Sequence, residues 1–172
     1  MRQRQLRGQC LRLLRGIPIP TPFSAEAMCE VIAEHRGRRL YLHPMPELDD
    51  VEGAPCGMWL ATDVADHIFV ERQTSPFHQE HIILHEIGHM LCGHAMPALS
   101  ETAVSAEPGD PVDPAIVHGA LTRTSYTNYQ EREAEMVATL VLESIGRLPA
   151  PTPFTGMLAG LEQGIGYHRT GH

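Results

Sequence analysis

Residues Ser75 to Gly93 constrain this chain more than any other stretch. Ile83, Leu84, Ile87, Met90 and Leu91 recur at helical spacing, so one side of the run must be buried. Ser75-Pro76 supplies a cap and a proline at the first helical position, and Gly93 supplies a stop. The spacing predicts a helix from Pro76 to Leu91 or Cys92. Inside it stands His85-Glu86-Ile87-Gly88-His89, an HExxH motif. Residues i and i+4 share a helix face, so both imidazoles can reach one ion. Zinc binds neutral imidazole, and in catalytic sites it keeps one position for water. Glu86, beside that water, can take its proton as the metal lowers the water's pKa towards ~7. His85 and His89 are therefore the expected ligands, Zn²⁺ the expected ion and Glu86 the expected general base.

Such a site needs a third ligand. No histidine stands ten residues after His85; His94 stands nine after, behind Gly93, and reads as a helix-end residue beside the ligands. A second helix is predicted from about Tyr129 to Ile145, opened by Thr127-Asn128-Tyr129-Gln130 and closed by Gly146. Its apolar face is Ala134, Val137, Ala138, Val141 and Ile145. With Ala134 at zero and ~100° per residue, Glu131 falls near +60°, Glu135 near +100° and Glu133 near −100°. Glu131 and Glu135 thus share one edge of the core, at i and i+4. One can bind the metal while the other accepts a hydrogen bond from a ligating imidazole. The expectation is Glu131 as ligand and Glu135 as that acceptor; the alternative is that all three are solvated acids favoured by the helix dipole. Tyr126 and His94 are expected to surround the ligands without binding the metal. Tyr126, His118 and Arg123 are also candidate donors to an oxyanion.

The rest of the chain orders itself around these helices. Ala25, Met28, Cys29, Ile32 and Ala33 predict an amphipathic helix between a Ser24 cap and a Gly37 stop. Arg38–His43 alternates as a half-buried strand, followed by an acidic loop at Glu47–Glu52. Cys56–Thr62 and His67–Glu71 read as a hairpin about Asp63–Asp66, with Trp59 and Phe69 in the core. Residues 97–128 read as a long surface loop or insertion with a short helix near Pro114–Leu121. The expected fold class is α+β: a small domain whose short antiparallel or mixed sheet packs on the two metal-binding helices. Its expected limits are a basic, Pro-containing arm at 1–24, the domain at 25–148 and a Gly- and Pro-rich tail at 149–172.

Composition enters through charge. Residues 1–25 carry five Arg and no acid, whereas residues 26–172 carry eight Arg and 21 acids. An acidic body is a poor sequence-independent binder of nucleic acid, so no direct nucleic-acid contact is expected. The basic arm reads as a solvated or partner-contacting tail. Arg12 and Arg15 interrupt its apolar stretches, which argues against a secretory segment. No apolar run approaches the ~20 residues of a membrane span. Cys10, Cys29, Cys56 and Cys92 show no CxxC spacing and read as reduced thiols.

Residues 67–94, HIFVERQTSPFHQEHIILHEIGHMLCGH, and residues 131–142, EREAEMVATLVL, together resemble the ImmA/IrrE family of metallo-endopeptidases. The resemblance spans roughly residues 25–145. It implies a zincin-like fold in which Glu131 is the third zinc ligand. It also implies a cytoplasmic bacterial protease that cleaves a helix-turn-helix repressor and so switches a mobile element or stress response. Glu135 stands where the family commonly has Asn, and the interval from His89 to Glu131 is longer than in compact members. Two other readings stand beside this one. A catalytically silent regulator, or half of a toxin–antitoxin pair, would act by binding a protein partner. A structural zinc site would need a fourth protein ligand, for which the chain offers Cys92 or His94.

Overall fold

A computed structural model describes residues 3–46, 55–62, 64–94, 112–121, 123 and 125–149. The acidic loop at Glu47–Glu52, most of 97–128 and the tail beyond Pro149 lie outside the described residues. The described chain is α+β, with helices α1 (Gln3–Leu14), α2 (Ala25–Arg36), α3 (Pro76–Cys92), α4 (Pro114–Leu121) and α5 (Asn128–Ser144), and strands β1 (Arg39–Pro44), β2 (Gly57–Ala61) and β3 (Ala65–Val70). Among the described residues no helix is long and apolar enough to cross a membrane.

Local chemistry sets the helix ends. Ser24 Oγ accepts from Ala27 N–H and Ser75 Oγ from His78 N–H, which relieves unpaired donors in each first turn. Gly37 and Gly93 close α2 and α3 with φ of 64° and 67°, a left-handed turn that glycine adopts without penalty. At α5, Thr127 and Gln130 form a reciprocal capping box.

The sheet is mixed, in the order β1-β3-β2. β2 and β3 make the antiparallel hairpin expected from sequence, although β3 begins two residues earlier, at Ala65. β1 runs parallel to β3, with Leu40 opposite Asp66 and Leu42 opposite Ile68. Side chains alternate between the two faces. Leu40, Leu42, Trp59, Ile68 and Val70 join the core shared with α2, α3 and α5. Met58, Leu60 and Phe69 face the other way and pack with Val117 and Ala120 of α4. Also facing away from the α2–α3 core, His43 Nε2 lies 2.9 Å from His67 Nδ1, and both rings are buried.

Asp66 anchors the α2–α3 face. It is buried, and it accepts from Arg36 Nε at 2.8 Å and from Trp59 Nε1 at 3.0 Å. Arg36 also donates to the Met90 carbonyl at 3.2 Å, so one guanidinium joins α2, β3 and the end of α3. A buried carboxylate held this way keeps its charge paired, as burial requires.

The basic arm differs from its expected form. Residues 3–14 are helical, and Leu6 and Cys10 are buried against Val137 and Leu140 of α5. Arg7 pairs with Glu143 of α5 at 2.7 Å. The physical reason is a narrow stripe, Leu6, Cys10 and Leu14, repeating every four residues among the arginines. The high charge lies on the rest of the helix surface, which does not have to be buried.

Candidate metal centre

The centre forms where α3 and α5 cross, and two small residues let them approach. A Cβ on Gly88 would stand 2.6 Å from the Ala134 carbonyl oxygen and 2.7 Å from its Cα. Glycine inside the HExxH motif and alanine on α5 therefore allow backbone contact at the crossing. Residues on α5 that flank Ala134 are carried to either side of α3. Gly57 on β2 plays a matching part beneath the motif. A Cβ there would collide with Ile82 Cγ2 and stand 3.0 Å from Glu86 Oε1.

His85, His89 and Glu131 converge at this crossing, with ligand atoms all within 4.8 Å of one another. His85 Nε2 lies 3.1 Å from His89 Nε2 and 3.2 Å from Glu131 Oε2. His89 Nε2 lies 3.8 Å from the same carboxylate oxygen. A tetrahedral zinc with bonds of about 2.0–2.1 Å needs ligand atoms about 3.3 Å apart, so the triangle has the required dimensions. The three residues could hold a metal ion. The Glu131 side chain is 46% exposed, so the cluster opens towards solvent on the α5 side.

Each imidazole presents Nε2 inward and meets a second partner at Nδ1. His85 Nδ1 lies 3.3 Å from Glu135 Oε2, and the other Glu135 oxygen lies 3.1 Å from His81 Nε2. His89 Nδ1 lies 2.8 Å from His94 Nδ1, and His94 Nε2 lies 3.1 Å from Glu133 Oε2. A neutral His89 that offers Nε2 to a cation must carry its proton on Nδ1. That proton is then donated to His94 Nδ1, and His94 donates its own Nε2 proton to Glu133. Outer contacts of this kind fix the orientation of metal-binding rings.

Burial and charge set the protonation. His85 is buried against its charge, but the carboxylates of Glu135, Glu86 and Glu131 prevail and raise its pKa. His89 is pushed down to about 3 by burial, then by His85 and His94, so it stays neutral and ready to bind a cation. Glu135 is held near 2 by hydrogen bonds from His81 and His85. Glu86 is buried, which raises its carboxyl to about 7 against the pull of the His85 charge. A carboxyl poised near neutrality beside two imidazoles can accept and return a proton.

Tyr126 precedes the α5 cap and stacks on His89, with ring centroids 3.7 Å apart and planes 18° apart. Its hydroxyl is buried, with no hydrogen-bond partner among the described residues. His118 and Arg123 are exposed, and among the described residues neither makes a hydrogen bond or ring contact to the three converging side chains. Glu133 escaped the sequence reading, because helical phase put it on the far flank of α5. The flank assignment is right, yet α3 ends on that flank and brings His94 to it. The roles of Gly57 and Gly88 were equally illegible, since both depend on how closely neighbouring elements approach. No family model, curated protein or solved structure matches this chain.

Proposed function

We propose that the chain is a zinc-dependent endopeptidase with a zincin-like fold, of the ImmA/IrrE type, which acts in the cytoplasm on a DNA-binding repressor or similar regulatory protein. The observation that carries the reading is Glu86. It is a buried carboxyl that follows His85 directly, beside a donor triangle that could hold a metal ion and whose Glu131 side chain is half exposed. Two imidazoles and one carboxylate suit zinc among the common divalent ions. Zinc would supply a Lewis acid for the peptide carbonyl and would acidify a water molecule.

The chain's own residues do the rest. Glu86 accepts a proton from the attacking water as the new C–O bond forms, and the carbonyl electron pair moves onto oxygen. When the C–N bond breaks, Glu86 returns that proton to the departing amine. Glu135 and the His94–Glu133 pair hold the two imidazoles in place while charge moves.

Elemental analysis of the purified chain tests the metal, and proteolysis of fluorescein-labelled casein tests the chemistry. Wild type is expected to hold about one zinc per chain, and His85→Ala and Glu131→Ala to lose most of it. Glu86→Gln is expected to keep the zinc and lose at least about 10²-fold in rate. A Glu86→Gln protein that cleaves at the wild-type rate, or a wild type that takes up no zinc, ends this reading.

A further inference from the structure

The buried Tyr126 hydroxyl at the centre has no hydrogen-bond partner among the described residues. Buried polar groups almost always find a hydrogen bond, and leaving one unpaired is costly. This oxygen is shielded from solvent yet bonds to no described residue. Its ring is fixed by stacking on His89 at 3.7 Å and by a tilted contact with His94 at 5.9 Å, so the hydroxyl cannot swing freely to seek one. We propose that Tyr126 is a catalytic residue whose hydroxyl donates to the carbonyl oxygen of the bound peptide, and holds that oxygen when it becomes an anion.

The assignment rests on the peptidase reading above and adds to it a donor that His85, His89, Glu131 and Glu86 do not provide. A fixed neutral donor beside the carbonyl oxygen matters most in the transition state, when negative charge develops there. No proton leaves Tyr126. The negative charge arises from the carbonyl electron pair and disappears when the C=O bond reforms.

The test compares wild type, Tyr126→Phe, Tyr126→Ala and Glu86→Gln as full chains. Phe keeps the ring against His89 and removes only the hydroxyl. The zinc-loaded proteins are titrated with benzohydroxamate by calorimetry, and the metal-free proteins are melted. Tyr126→Phe is expected to hold zinc like wild type and to melt no lower than wild type when metal-free. It is expected to bind benzohydroxamate about 10-fold more weakly, the value of one lost hydrogen bond. Tyr126→Ala is expected to melt lower, because it also loses the stacking. Wild-type hydroxamate affinity in Tyr126→Phe overturns the inference, as does a metal-free Tyr126→Phe that melts as low as Tyr126→Ala. If Glu86→Gln weakens hydroxamate binding and Tyr126→Phe does not, this inference alone fails. If zinc-loaded wild type does not bind the hydroxamate, no position is open on the metal and the peptidase reading fails with it.

Discussion

At the scale of single residues, the centre depends on which ring nitrogen carries the proton. His89 is useful to a cation only as the Nδ1–H tautomer, and His94 stabilises that tautomer through a 2.8 Å contact. His94 must then be an acceptor at Nδ1 and a donor at Nε2, and Glu133 supplies the acceptor at 3.1 Å. Removing Glu133 removes the reason for His94 to keep this arrangement, two bonds away from the metal-facing nitrogen. Glu133→Ala is expected to weaken zinc binding about 10–100-fold, measured by competition with a chelator of known affinity. Glu30→Ala, on the exposed side of α2, serves as the control and should leave zinc affinity unchanged. Equal affinities in the two variants would mean that the His94–Glu133 contact does not orient His89.

At the scale of elements, the crossing of α3 and α5 is the determinant, and Gly88 permits it. Elsewhere on a helix, Gly→Ala gains about 1 kcal/mol from backbone propensity. Here the new methyl would meet main-chain atoms of α5 at 2.6–2.7 Å, which cannot rotate away. Overpacking of this kind costs about 1–3 kcal/mol or more, so the clash outweighs the gain. Gly88→Ala is expected to lower the urea midpoint and to reduce zinc uptake, by moving Glu131 away from His85 and His89. A variant more stable than wild type with full zinc would show that the helices can separate at no cost. The same crossing explains what could be read from sequence. Helices α2, α3 and α5 were legible because their caps, Ser24, Ser75 and Thr127, and their apolar periods are local properties. The facing of Glu131 and Glu135 was legible for the same reason. The Glu133–His94 contact, the docking of α1 through Leu6 and Cys10, and the parallel pairing of β1 with β3 are relations between elements. Nothing within a single element encodes them.

At the scale of the whole molecule, the sheet separates two kinds of histidine. On the α3 side, His85 and His89 can bind metal. On the opposite face, His43 and His67 are buried against each other, with Tyr41 5.4 Å from His67 and Phe69 stacked on His43 at 5.0 Å. Burial, then the neighbouring His43, lowers His67 to about 4 despite the nearby Asp66 charge, and burial lowers His43. The sign of the linkage follows. Below pH 6.5 the unfolded chain takes up protons that the folded pair resists, His67 down to about pH 4. The pair's contribution to stability is therefore full above pH 6.5 and falls as the pH drops through that window. Glu135, held near 2, acts with the same sign further down, from about pH 4.5. His85, raised in the metal-free chain, acts oppositely, contributing below pH 6.5 and losing that contribution as the pH rises. The sheet pair is isolated by comparing wild type with the double variant His43→Phe, His67→Phe, both with zinc removed, so that the other histidines contribute equally. Phe preserves the stacking at position 43 and abolishes both titrations. Wild type is expected to lose more of its urea midpoint between pH 7.5 and pH 5 than the double variant does. Parallel losses would mean that the pair stays accessible to protons in the folded state, and that acid sensitivity resides wholly on the metal side of the sheet.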